Sequence, residues 1–252
     1  MNFTGKVVIV TGSSSGIGAA IAIKFAEQGA KVAIVGRNKN KLNDVAKKCN
    51  NPLVIVADVT KEDDVKKIIN ETVKQFGKID ILVNNAGMGI ETGITRENAL
   101  EAYNTVMATN LHSVIHLTHL AVPYIIKTKG NIINISSIAS LSVAFKAGFP
   151  YFVSKAGLDH FTRSIASELA VSGVRVNSVN PGPVKTDIVE NMGKTKQESE
   201  AAWDMMKGMT ALKRVSDSEE IADLVSFLAS DLARGITGSI FVSDNGTLVK
   251  SE

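Results

Sequence analysis

Tyr151 and Lys155 stand four residues apart in a segment that opens at Pro150. Proline suits the first turn of a helix and residues four apart share one helical face, so the phenol and the ammonium project side by side. A free tyrosine is a poor proton donor or acceptor near neutrality, but a neighbouring cation stabilises its phenolate and fits it for general acid–base work. Such pairs also arise by chance on solvated helices. This one is accompanied by Asn134-Ile135-Ser136-Ser137, which closes the preceding apolar run. Strand ends of that kind form the ligand edge of open α/β sheets, where a serine hydroxyl can hydrogen-bond a carbonyl or alcohol oxygen. Proton transfer at that oxygen is the chemistry these residue types fit.

A second group lies near the N-terminus, where Val7–Val10 is followed by Thr11-Gly12-Ser13-Ser14-Ser15-Gly16-Ile17-Gly18 and a helical pattern begins at once. Glycines at a strand-to-helix turn let the backbone approach a pyrophosphate, and the helix N-terminus offers free N–H groups to the anion. A dinucleotide is the natural ligand, held by Gly12, Ser13, Ser15, Gly16, Ile17 and Gly18. A turn that merely connects strand to helix is the plainer reading of the same glycines. An acid after the second strand would bind adenosine ribose hydroxyls and repel a 2′-phosphate, but this strand ends Val35-Gly36-Arg37. A guanidinium there favours a 2′-phosphate, with Asn38 and Ser13 as added neutral donors, and so NADP(H). The plainer alternative for Arg37 is a solvated loop charge beside Lys39 and Lys41. Asp58 and Val59, after the third strand, are expected at the adenine edge.

The elements that must carry these groups are legible in the apolar pattern. Val7–Val10, Val32–Val35, Leu53–Ala57, Ile81–Val83 and Ile132–Ile135 are short continuous apolar runs, as strands buried on both faces read. Helix-length segments alternate with them: Ile17–Gln28, Val65–Phe76, about 110–128 and Pro150–Ser172. Strands at Val174–Val179 and Ile240–Ser243 complete the series. The expected fold is a doubly wound, Rossmann-like α/β parallel sheet with helices on both faces, one domain over residues 1–252. Residues 185–210 break the rhythm after Pro181-Gly182-Pro183 and read as a substrate lid.

Composition narrows the field. The chain has 252 residues and a formal charge of +3, with its lysines scattered, so no basic block marks a nucleic-acid surface. Cys49 is the only cysteine, which excludes an intramolecular disulfide, and no basic-then-apolar leader pattern opens the chain, so the cytoplasm is the expected compartment. No apolar run has the length of a membrane span. His112, His116 and His119 share a helical face without an acid or cysteine to complete a metal set, so no metal is expected.

Across its whole length the chain resembles the short-chain dehydrogenase/reductase family, through Thr11–Gly18, Asn84-Asn85-Ala86-Gly87 and Tyr151–Lys155 in that order. The resemblance implies that Tyr151 exchanges the proton while Lys155 lowers its pKa and holds the nicotinamide ribose. It implies that Ser137 polarises the substrate oxygen, with one residue more than usual before Tyr151, Ser136 being the other candidate. Asn110 would complete a proton relay through water. Asn85, Ala86 and Gly87 would support the cofactor, Pro181, Gly182 and Thr186 would approach the nicotinamide, and the Val184 backbone would bond its carboxamide. Relatives form homodimers or homotetramers, in part through a terminal turn where this chain has Ser243-Asp244-Asn245-Gly246. Met88, Phe145, Phe149, Met192, Trp203 and Met206 carry little charge and fit a small apolar ketone or alcohol substrate. The methionines and Trp203 also fit a core role beneath a surface helix.

Overall fold

The computed structural model describes residues 1–143, 146–186 and 196–250. Seven strands form one parallel sheet in the order β3-β2-β1-β4-β5-β6-β7. They are β1 (Val7–Thr11), β2 (Lys31–Gly36), β3 (Leu53–Val56), β4 (Ile81–Asn84), β5 (Asn131–Ile135), β6 (Arg175–Pro181) and β7 (Ile240–Ser243). Side chains alternate between faces along a strand. Val8 and Val10 accordingly join one buried cluster while Ile9, their neighbour, joins the other. Both faces are covered, which is why the strand sequences are continuously apolar.

The helices are α1 (Gly16–Glu27), α2 (Lys39–Ala46), α3 (Glu62–Phe76), α4 (Ala99–Met107), α5 (Ser113–Thr128), α6 (Phe149–Leu169), α7 (Lys196–Met209) and α8 (Ser218–Ala229). On one face Ile21 and Phe25 of α1 meet Ile221, Val225 and Leu228 of α8. On the other, Ile68 of α3, Leu117 and Ile125 of α5 and Ala166 of α6 pack over Ile9, Leu82 and Ile132. Local chemistry sets the helix ends. Glu62, Asp63 and Asp64 occupy the positive end of α3, and Gly77 at φ 79° closes it in the left-handed region. Asp217 and Glu220 form a reciprocal capping box at the start of α8.

Three boundaries differ from the sequence pattern. The helix expected to reach Ser172 gives way after Leu169 to a 3-10 turn at Ala170–Ser172. β6 continues two residues beyond Val179 because β7 pairs with it as far as Pro181, opposite Ser243. Ahead of α5 the helix does not start at Asn110; α4 runs into it through a π-helical turn, Ala108–His112. Within the expected lid, α7 is the described part, and 187–195 lie outside the described residues.

The strand order reverses between β1 and β4, which opens a crevice at the carboxyl ends of the central strands. The opposite edge is closed by Arg175, whose guanidinium donates to the carbonyls of Leu228 at 2.8 Å and Ser230 at 3.1 Å. Replacing it as Arg175→Met removes these charge-assisted bonds and leaves the two carbonyls only their neutral partners, Asn131 Nδ2 and the Ala233 N–H. The variant is expected to lose about 2 kcal/mol of stability, read from urea unfolding.

Candidate active site

The phosphate loop is shaped by contacts that only glycine permits. Gly12, at φ 67°, lies against Asn85 and Ala86, where an added Cβ would come within 2.9 Å of the Ala86 backbone. The Thr11 hydroxyl accepts from the N–H groups of Asn85 at 3.0 Å and Ala86 at 3.1 Å, and Asn85 Nδ2 returns a bond to the Thr11 carbonyl at 2.9 Å. These bonds join the Asn84–Gly87 segment to the loop. Beneath them Asn84 donates to Asn134 Oδ1 across β4 and β5, and Asn134 donates to Thr162 on α6.

Ser15 precedes α1 without a capping hydrogen bond from its side chain, and no acid stands in the first turn. The first N–H groups of that helix, at Gly16, Ile17 and Gly18, therefore remain suited to a pyrophosphate, which fits the dinucleotide reading. Thr186 lies over the loop, its methyl 3.0 Å from where a Gly16 Cβ would stand. Gly182 fits against the backbone of Asp244, and Pro181 pairs with Ser243. The Val184 bridge to Ser216 uses the Pro183 carbonyl and the Lys185 N–H, so the peptide groups of Val184 itself face the other way.

At the adenosine end an open depression of about 520 Å³ is lined by Ser14, Arg37, Asn38, Lys39 and Asn40. Ser13 does not reach it. It is fully buried, its hydroxyl donates to the Val10 carbonyl and accepts from Val35 N–H, and so it is no donor to a phosphate. Ser14, Lys39 and Asn40 are the rim residues the sequence pattern missed. Asn38 Oδ1 caps α2 by accepting from Lys41 N–H at 3.1 Å. Asp58 lies nearby with Val59 beside it. Partial burial pushes its carboxyl up, but two hydrogen bonds from Thr60 and the field of Arg37 hold it below the ordinary value.

The catalytic candidates meet at the ends of β4 and β5. Lys155 is 4% exposed, and its ammonium donates to the Ile135 carbonyl at 2.8 Å and lies 5.6 Å from the Tyr151 ring centroid. Burial pushes Lys155 down to about 8, against the opposing charge of Asp159. Burial also raises Tyr151, while a hydrogen bond with the Ser137 side chain pulls it back. That bond distinguishes the two serines: Ser136 is buried and its hydroxyl donates to the Lys155 carbonyl at 3.2 Å. Ser137 caps a 3-10 turn, Ile138–Ser140, by accepting from Ala139 N–H. Asn110 is also present, with both amide N–H groups and one lone pair of its oxygen engaged. Oδ1 accepts from Met88 N–H at 2.8 Å, and Nδ2 donates to the Met88 carbonyl and the Ser154 hydroxyl. Its side chain holds the Met88 segment.

Among the expected pocket residues, Met88, Phe149, Trp203 and Met206 are half-buried, and Phe149 stacks on Tyr103 with centroids 6.4 Å apart. Tyr103 gave no signal in the sequence pattern. Phe145 and Met192 lie outside the described residues. His112 and His116 sit with ring centroids 6.3 Å apart, and no group of three metal-binding side chains occurs among the described residues. No helix of the described residues is long and apolar enough to cross a membrane.

A loop-and-helix phosphate cradle beside a Tyr–Lys–Ser cluster on this sheet defines a dinucleotide-dependent oxidoreductase. The sequence profile described as enoyl-(acyl carrier protein) reductase matches residues 12–247. The 3-oxoacyl-(acyl-carrier-protein) reductase FabG of Thermotoga maritima is 34% identical over 260 residues, covering 99% of this chain and 100% of that protein. Glucose 1-dehydrogenase of Gluconobacter oxydans is 36% identical over 252 residues, covering 97% and 92%. A Caenorhabditis elegans short-chain dehydrogenase/reductase of unknown function, solved with its cofactor, superposes with a TM-score of 0.93 at 38% identity, covering 99% of this chain and 97% of that one. The chain belongs to the short-chain dehydrogenase/reductase family, oxidoreductases that act on CH–OH or C=O groups with a nicotinamide cofactor.

Two outcomes test this geometry. In Gly18→Ala the new Cβ would stand 2.3 Å from the Gly12 carbonyl oxygen and 2.4 Å from Asn85 Nδ2. Cofactor affinity, followed by nicotinamide fluorescence, is expected to fall at least tenfold. Lys155→Met should remove turnover yet melt higher than the parent at pH 7. The folded-state pKa of about 8 lies below the ordinary 10.5, so holding the charge destabilises the fold below pH 8. The unfolded chain binds the extra proton between these values, so the advantage of the variant should shrink as melts are taken from pH 8 towards 10.5.

Proposed function

We propose that this protein is an NADP(H)-dependent carbonyl reductase or alcohol dehydrogenase acting on a small apolar ketone or secondary alcohol. The observation that carries the cofactor choice is the depression beside the phosphate loop. Arg37 and Lys39 line it with three neutral donors and no carboxylate, a chemistry suited to a 2′-phosphate and not to bare ribose hydroxyls.

When bound, the nicotinamide supplies or accepts the hydride. In the direction of reduction the Ser137 hydroxyl donates a hydrogen bond to the substrate oxygen, and Tyr151 transfers its proton to that oxygen as the carbon gains hydride. The product is the alcohol, and Tyr151 is left as phenolate beside Lys155. Lys155 holds the nicotinamide ribose and stabilises that phenolate, with the positive charge of the oxidised ring adding to the same field. In the direction of oxidation the same groups run in reverse, the phenolate taking the alcohol proton. Asn110 contributes by fixing the Met88 segment against Ser154 of α6.

The named relatives act on an oxoacyl group carried by a protein and on glucose, so the substrate class rests on the lining. The Met88 backbone is bonded to Asn110, and Phe149, two residues before Tyr151, has the Tyr103 ring stacked on it. Leu141 and Val143 follow the Ser137 turn and are exposed, Val143 to 80%. An apolar substrate face would cover them. We take α7, with Trp203 and Met206, as the lid over that face. The same reading has a homodimer or homotetramer in the cytoplasm, where Cys49 stays reduced.

Purified protein is expected to bind NADPH at least tenfold more tightly than NADH by fluorescence titration, and Arg37→Ala to erase that ratio. Tighter binding of NADH would overturn the cofactor assignment and leave the catalytic one standing. Tyr151→Phe should bind cofactor normally and reduce apolar ketones at least about a thousandfold more slowly in kcat.

A further inference from the structure

One buried acid takes no part in the mechanism above. Asp159 is 3% exposed on α6, one turn beyond Lys155. Its Oδ2 accepts from the Ser140 hydroxyl at 2.5 Å and Asn180 Nδ2 at 2.7 Å, and its Oδ1 accepts from the Ser178 hydroxyl at 3.0 Å. Buried carboxylates are rare unless paired or fully hydrogen-bonded, and no lysine or arginine forms a salt bridge to this one among the described residues.

Its partners lead to the reacting edge. Asn180 donates to the Ser137 carbonyl at 3.0 Å, and the Ser140 hydroxyl, 2.8 Å from the same carbonyl, shares its one proton between that carbonyl and Asp159. Ser137 is thus held by two side chains that both rest on Asp159. The Ser178 hydroxyl shares its one proton between Asp159 Oδ1 and Asn180 Oδ1, the latter at 2.6 Å, which orients the Asn180 amide for that contact.

The surroundings of Lys155 point to a second task. The titratable groups near it are Tyr151 and Asp159, both on its own helix. The elements packed against it offer the Ile135 carbonyl from β5, Gly87 from the segment after β4 and the Asn110 amide from the π-turn, all neutral. His112 of that turn is exposed and faces His116. Asp159 is therefore the negative charge available to a buried ammonium.

We propose that Asp159 is a positioning residue of the active site, anchoring the Ser137 turn through Ser140 and Asn180 and supplying the counter-charge to the Lys155 ammonium. This rests on the reading of Tyr151, Lys155 and Ser137 given above. Asp159→Asn separates the two tasks, because the amide matches the carboxylate in shape and can donate to Ser178 while accepting from Ser140 and Asn180. Without the charge, desolvation of Lys155 meets less opposition, so the ammonium is lost at lower pH. The ratio of wild-type to Asp159→Asn turnover should then rise with pH, at least tenfold between pH 6 and pH 9, as the alkaline limb moves acidward. A purely structural acid would give a ratio independent of pH, and that result, or an unaltered profile, overturns the electrostatic half.

Ser140→Ala removes one of the two anchoring side chains and keeps the charge. It should lower kcat at least fivefold with no displacement of the pH profile, and an unchanged kcat overturns the anchoring half. Affinity for the tighter-binding nicotinamide cofactor, measured across the same pH range by fluorescence, gives a readout without turnover. Should the wild type reduce no carbonyl compound, the proposed function fails. The affinity profiles of the wild type and Asp159→Asn still decide the role of Asp159: divergence above pH 7 supports it, and parallel profiles overturn it.

Discussion

A protonated lysine inside a folded sheet loses most of its hydration, and the reacting edge of this protein is built around that loss. The Lys155 ammonium has the Ile135 carbonyl at 2.8 Å and the Tyr151 ring on its other side. These are weak substitutes for water, and the depressed pKa reports the shortfall. The cluster is therefore unsatisfied by itself and gains from a partner that brings hydroxyl groups or negative charge. In the function proposed above the cofactor ribose is that partner, and its binding and the relief of the buried charge would be one event.

That arrangement requires a scaffold which does not yield. Parallel strands covered on both faces supply it, and the polar groups within are paired across the sheet. Asn84, Asn134 and Thr162 run from β4 through β5 to α6 and tie the cofactor segment to the helix that carries Tyr151 and Lys155. The Thr11 hydroxyl joins the same segment to the phosphate loop. The phosphate loop, the Asn84–Gly87 segment and α6 thus rest on one connected set of hydrogen bonds.

Much of this could be read from the chain. The strand runs were continuous because both faces are buried, and the glycine loop, the Tyr–Lys spacing and the serine-ended strand lie where their types indicated. What escaped had physical causes. Ser13 and Ser14 are equivalent as letters, and only the backbone path turns one hydroxyl into the sheet and the other to the rim. The choice between Ser136 and Ser137 was likewise a matter of which side of the strand end faces Tyr151. The engagement of Asn110 with Met88 depends on residues 22 apart in sequence, beyond any local pattern. Tyr103 behind Phe149 is a tertiary contact of the same kind.

The π-turn at Ala108–His112 accommodates one residue more than a regular α-helix would over the same span. Deleting a single residue there would restore an unbroken helix from α4 to α5, with better local hydrogen bonding. It would leave α4 and α5 in their present relative orientation but take away the bulged backbone that brings Asn110 to Met88 and Ser154. The gene is thus one in-frame codon loss from a more regular helix and a dismantled site. The site thus depends on the length of this segment as well as on its residue types.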